Sequence, residues 1–112
     1  MQADRAAADI RVEAGYKLGL ILKERSAEDA AKVWFVYVVN AFLLSSNPPD
    51  LGSRGDYWMT QTLLSLGALY QEQGKLDEAR TVWRLIIEHR LPGAQHLAQA
   101  YLDALAAGSP KP

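Results

Sequence analysis

Apolar residues recur at steps of three and four through most of this chain, and that period predicts five helices. The first runs from Ala3 to about Arg25, with Ala7, Ile10, Ala14, Leu18 and Leu22 on one continuous stripe. Ser26 stands where an N-cap is expected, with Asp29 three residues on in the capping-box position. The second helix runs from Ala27 to about Ser45. Its Val-rich centre would also suit a strand, but the run is too long for one and the Glu28–Lys32 lead-in (EDAAK) favours a helix. Asn47 to Gly55 reads as a loop by its Pro, Gly, Asn and Ser content. Asp56 is placed to cap a third helix, Tyr57 to about Gln73, and Gly74-Lys75 make a short turn. Leu76 to about His89 form the fourth helix, with Asp77 and Glu78 where the positive end of the helix dipole favours acids. Pro92-Gly93 break the chain before a fifth helix, Ala94 to about Ala106, and residues 108–112 (GSPKP) form a flexible tail.

Short connections make neighbouring helices antiparallel, so the expected architecture is all-α, a stack of helical hairpins. Parts of the pattern recur. Leu18-Gly19 and Ala31-x3-Phe35 echo Leu66-Gly67 and Ala79-x3-Trp83, and glycine precedes alanine by twelve residues in both. Small residues at these places let the two helices of a hairpin approach closely, with the aromatic expected to wedge between successive hairpins.

The stretch Leu63–Pro92 resembles a tetratricopeptide repeat, whose pattern is W-x2-L-G-x2-Y, then A-x3-F, then P. Leu63 stands for the Trp, while Leu66, Gly67 and Tyr70 fall on their positions. Ala79-x3-Trp83 follows at the proper distance, and Pro92 closes the unit one residue late. The first unit is looser, with Gly15 in place of the aromatic and Leu22 in place of the Tyr. The fifth helix resembles a capping half-unit, with Leu97, Ala100, Tyr101 and Ala104 at the pattern positions and Tyr101 on the Gly site. The two units stand 48 residues apart instead of the standard 34, so 14 residues are inserted. The resemblance implies one domain over residues 1–107. Repeat one covers about 12–45, the insertion 46–59, repeat two 60–93 and the capping helix 94–106. The implied fold is a short right-handed superhelix. The length of the insertion and the Asp56-Tyr57-Trp58 helix start look like divergent repeats of bacterial envelope and assembly proteins.

In that family, ligand peptides lie along the first helices of successive hairpins. The resemblance therefore implies a groove of Glu13, Tyr16, Leu20 and Lys23 in the first unit. Gln61, Leu64, Ala68 and Gln71 line it in the second, and Gln95, Ala98 and Leu102 in the cap. Such a surface suits an amphipathic helix or an extended peptide, and the long first helix or a second copy could fill it equally well. Family members that clamp a chaperone's C-terminal carboxylate use Lys, Asn and Arg at five positions. Here Tyr16, Leu20, Ser65, Gln95 and Gln99 stand there, and none matches.

Roughly three stacked repeats are needed for stability, and this chain has two and a half. The second helix makes the shortage sharper. Phe35, Val38, Val39 and Phe42 form its inward stripe, and Trp34, Tyr37, Ala41 and Leu44 form another on a different face. A helix apolar all round must be covered all round. The cover could be Tyr57 or Trp58 with the extended helices, a second copy making a homodimer at Trp34, Tyr37, Ala41 and Leu44, or further repeats.

Composition narrows the partners. Twelve Lys and Arg balance thirteen Asp and Glu without a basic stripe, which argues against nucleic acid. There is no cysteine, so disulfides and thiolate metal sites are excluded. The longest apolar run, Val33–Leu44, has twelve residues where a bilayer span needs about 20, so no membrane insertion is expected. Residues 1–11 carry acids and no export signal, which leaves the compartment open between cytoplasm and periplasm.

Candidate chemistry is sparse. His89 and His96 flank the Leu91–Gly93 break but lack i,i+4 spacing and a third ligand, so no metal is expected. Asp77 and Glu78 are adjacent and point apart, so they cannot face each other as a carboxylate pair. Gly52–Gly55 (GSRG) lacks the preceding strand and the Gly-rich Lys motif of a phosphate loop, and reads as solvated loop. No nucleophile, base and orienter assemble, so no enzyme and no cofactor are expected. The function implied is a non-catalytic scaffold for protein association, as part of a longer array, as a self-associating module, or as a spacer between domains. The rival is a helical bundle that holds a small molecule among Trp34, Tyr37 and Trp58.

Overall fold

The computed structural model describes residues 2–108, with side chains from Ala8 onward. Ala7 of the expected stripe and residues 109–112 of the expected tail lie outside that description. Five α-helices and no strand occupy the described residues: α1 (Gln2–Glu24), α2 (Glu28–Phe42), α3 (Gly52–Glu72), α4 (Leu76–Glu88) and α5 (Gln95–Ala106). All five predicted helices are present. The chain divides into two compact units, Met1–Thr62 and Leu63–Pro112, with α3 contributing to both.

In the first unit α1 and α2 form an antiparallel hairpin. The face of α1 turned to α2 is Ala8, Val12, Gly15 and Gly19, all buried. Phe35 and Val38 press on the two glycines so closely that an added Cβ at Gly19 would lie 2.3 Å from the Phe35 ring. At Gly15 it would lie 2.3 Å from Val38 Cγ2. The expected stripe Ile10, Ala14, Leu18 is instead exposed, and Leu22 is half-buried. Two apolar stripes compete for the core on α1, and the one with the smaller residues wins because it allows the close approach.

Ser26 is not the N-cap of α2. It sits at φ 62°, its N–H bonds to Lys23 O (3.0 Å), and Ala27 N–H bonds back to Leu22 O (2.8 Å). That pair of bonds is a Schellman ending of α1, with Ser26 in the left-handed position. Ala27 then precedes α2 without any side-chain cap. The turn between α3 and α4 repeats this arrangement. Gly74 (φ 73°) bonds to Gln71 O at 3.0 Å and Lys75 to Tyr70 O at 2.8 Å. Arg90 (φ 52°) ends α4 the same way, through Ile87 O and Leu91 N–H to Ile86 O.

Two boundaries move. α2 stops at Phe42, short of the expected Ser45, and α3 starts at Gly52, so Gly52–Gly55 is a helical turn and not loop. Asp56 lies inside α3; the residue serving its start is Asp50, whose Oδ1 accepts the Gly52 N–H at 2.9 Å. The buried Thr60 and Thr62 hydroxyls donate to Asp56 O (2.7 Å) and Trp58 O (2.8 Å), so neither is left without a partner.

The second unit holds the rest of α3 with α4 and α5. Trp83 rests on Gly67, where a Cβ would meet ring carbons at 2.5–2.7 Å. The Trp83 indole donates to Gln71 Oε1 (2.7 Å), and the Tyr101 ring lies on it nearly parallel at 4.5 Å. The two hairpins thus share one lock: Phe35 on Gly19 and Trp83 on Gly67, each 48 residues from its counterpart, as are the two turns. Each aromatic fills the space over the glycine of its own hairpin, and Trp83 also meets Tyr101 of α5 in the half-unit that follows.

Candidate functional site: the surfaces of the hairpins

On α1 the residues following the α2 contacts turn to one side. Tyr16 lies 6.1 Å from Phe35 and 5.6 Å from Trp58 of α3. Lys17 Nζ lies 5.2 Å from the Trp58 ring centroid and donates to Glu13 at 2.6 Å. Glu13 also takes a hydrogen bond from Arg54 (3.1 Å). The Lys17 hydrogen bond, with help from Arg54, holds the Glu13 carboxyl below its ordinary range against the opposing effect of burial. One residue earlier on α3, Tyr57 is exposed and edge-on to Trp58 at 4.9 Å. Asp56 shows the opposite perturbation: burial, then the nearby Asp50 carboxylate, raises it.

The expected groove positions fall as follows. Glu13 and Tyr16 meet in the cluster just described. Leu20, Lys23 and Gln61 are half-buried. In the second unit Leu64, Ala68 and Leu102 are half-buried and Gln95 is exposed, but Gln71 holds the Trp83 indole and Ala98 is buried. Ala98 therefore has no surface for a ligand.

The opposite side of the first hairpin is different. In an antiparallel pair of right-handed helices, residues one after the contact positions turn to the same side on both helices, and residues one before turn to the other. On the side that α3 meets stand Tyr16 and Leu20 with Val36 and Val39, all buried or half-buried. On the far side stand Ala14 and Leu18 of α1 with Trp34, Tyr37 and Ala41 of α2. Leu18 is 45 % exposed, Trp34 37 % and Tyr37 54 %, while Ala41 is half-buried. Ile10 and Ile21 extend this surface along α1, and Val33 and Leu44 along α2, all exposed. Trp34 and Tyr37 meet edge to face at 6.0 Å, and with Val33 they line an open hollow of about 300 Å³.

The predicted homodimer residues Trp34, Tyr37, Ala41 and Leu44 thus share one face, and neither Tyr57 nor Trp58 accompanies Val33, Trp34 and Tyr37 around the hollow. Ile10 and Leu18 belong to the expected core stripe of α1, and Ile21 and Val33 stand on no predicted stripe, yet all four are exposed. Trp58, the third aromatic of the expected small-molecule pocket, belongs to the Tyr16 cluster instead. Among the described residues no group of three His, Asp or Glu could hold a metal ion, and no helix is long and apolar enough to cross a membrane. No family model, no curated protein and no solved structure matches this chain.

Proposed function

We propose that the chain is a protein-association module built from helical hairpins of the tetratricopeptide kind, with no catalytic role. The observation that carries this reading is the recurrence, at 48 residues, of one hairpin design. Glycine, aromatic lock, left-handed turn residue and uncapped second helix all return at the same offset. Hairpins that share a design also share faces, and repeat units bury those faces by stacking on one another or on a partner. The exposed apolar face of α1–α2 supports the same reading. At roughly 60–120 Å² for each large apolar side chain, about half of it exposed, seven such residues leave on the order of 300 Å² or more. That reaches the patch size which on soluble proteins marks an interaction site.

The test is an array of amphipathic-helix and extended peptides read by fluorescence anisotropy. The reading expects saturable binding to the chain that Tyr16→Ala or Leu18→Glu removes. Absence of any protein or peptide ligand, together with absence of self-association, overturns it. The hollow lined by Val33, Trp34 and Tyr37 favours a second reading, in which a small apolar molecule is held there. A metabolite screen following the tryptophan fluorescence separates the two, because saturable quenching lost in Trp34→Leu belongs to the second reading alone.

A further inference from the structure

We infer that the far side of the α1–α2 hairpin pairs with the same face of a second copy of this chain, forming a four-helix core. This deepens the proposed function by naming the surface and its occupant, and it rests on that reading. Three observations lead to it.

The first is the fate of the same face in the second hairpin. Leu66 and Val82 stand 48 residues after Leu18 and Trp34 and are only 3 % and 4 % exposed. The centre of this side is therefore covered in the second hairpin, where Leu85, the counterpart of Tyr37, is half-buried and His89, the counterpart of Ala41, is exposed. The second is the absence of charge. Between Arg11 and Arg25, which mark its two ends on α1, the central positions are Ala14, Leu18, Trp34, Tyr37 and Ala41, none of them ionised. Such a surface repels neither itself nor its copy, and it has nothing with which to select a charged partner.

The third is the lack of a complementary surface elsewhere. Of the large hydrophobic residues exposed among the described residues, all lie on this face or its two flanks except Tyr57 and Leu97, which are isolated from each other in sequence. A head-to-tail contact needs a second exposed apolar face, and no other large hydrophobic residues exposed among the described residues cluster in sequence as these do. A face-to-face pair needs only the one that is there, which is the condition for a two-fold dimer. By the same estimate the large side chains of two copies would bury about 600 Å², and rim residues bring the contact toward the roughly 1,000 Å² at which specific interfaces begin.

The chain has no cysteine, so single cysteines report the contact directly. Ala14→Cys and Ala41→Cys lie on the face, and Gln99→Cys lies on exposed α5. The expected result is a dimer mass by sedimentation equilibrium at micromolar concentration. Rapid interchain disulfide formation is expected for the first two variants and not for the third. Leu18→Glu and Tyr37→Glu should each weaken the dimer by roughly 30-fold or more, the loss typical of a central interface residue. Tyr57→Glu should leave it unchanged, and circular dichroism should show full helicity in all of them. A monomer at 100 µM, or a dimer indifferent to both Leu18→Glu and Tyr37→Glu, overturns the inference. Should Leu18→Glu lose helicity, the disulfide comparison between Ala14→Cys and Gln99→Cys still decides. A monomer that binds peptides in the array leaves the proposed function standing, whereas failure of both removes it.

Discussion

The lock between glycine and aromatic gives the most quantitative expectation. Gly19→Ala would place a methyl group 2.3 Å from Phe35 Cε1 and 2.8 Å from two further ring carbons, and that ring is fully buried. Contacts under 3 Å force the ring or the helix to move. Overpacking of this kind costs about 1–3 kcal/mol. Alanine in place of glycine inside a helix returns about 1 kcal/mol through its better propensity. The net expectation is a loss of up to about 2 kcal/mol, with a fall of up to roughly 10 °C in Tm. Gly67→Ala should behave alike, since Trp83 lies at 2.5 Å from the added atom. Urea unfolding followed by circular dichroism measures both, at one fixed protein concentration because association shifts the midpoint. Adding Phe35→Leu to Gly19→Ala should relieve the clash, so the pair costs less than the sum of the single changes. If Gly19→Ala stabilises the chain and shows no coupling to Phe35, the close approach is wrong and the shared hairpin design falls with it.

Further expectations concern the turns and the carboxylates. Ser26 holds the left-handed conformation that Gly74 holds in the second hairpin, so Ser26→Gly should stabilise the chain by about 1 kcal/mol, and Gly74→Ala should destabilise it similarly. An equal response of opposite sign in the two thermal midpoints checks this. Asp56 has a raised pKa, so the folded chain binds its proton more readily than the unfolded chain. Stability from this group falls as pH rises through the interval between the two pKa values, and Asp56→Asn should stabilise at neutral pH but not in acid. Glu13 is lowered, so its contribution is present above the unfolded pKa and fades as pH falls through the folded one. Lys17→Met should flatten that acid slope in urea midpoints measured across pH. Gln71→Leu should leave the buried Trp83 indole without its acceptor and lower stability by about 1–3 kcal/mol, read from the same unfolding curves.

The helical period placed all five helices, because each stretch holds a long run of residues at three- and four-residue steps. It could not say which stripe of α1 is buried. Ile10, Ala14 and Leu18 outweigh Ala8, Val12, Gly15 and Gly19 in hydrophobicity, yet the smaller set is inside because the α2 side chains need its space. The turn at Ser26 was misread for a related reason. Serine is a good N-cap by its side chain, but here its backbone conformation is what matters, and the signal was its 48-residue offset from Gly74. At α3 the two glycines in the first turn suggested loop, which hid Asp50 behind Asp56. The surface stripe on α2 was legible, since Trp34, Tyr37, Ala41 and Leu44 repeat at steps of three, four and three. Its extension onto α1 was not, because that extension depends on which side of each helix follows the contact line.

Concentration-dependent oxidative footprinting tests the central claim, that the far side of α1–α2 is an association surface, most directly. With rising protein concentration, Trp34, Tyr37 and Leu18 should lose reactivity together while Tyr57 and Leu97, equally exposed in the isolated chain, keep theirs. Unchanged reactivity of Trp34, Tyr37 and Leu18 from nanomolar to 100 µM would contradict the account.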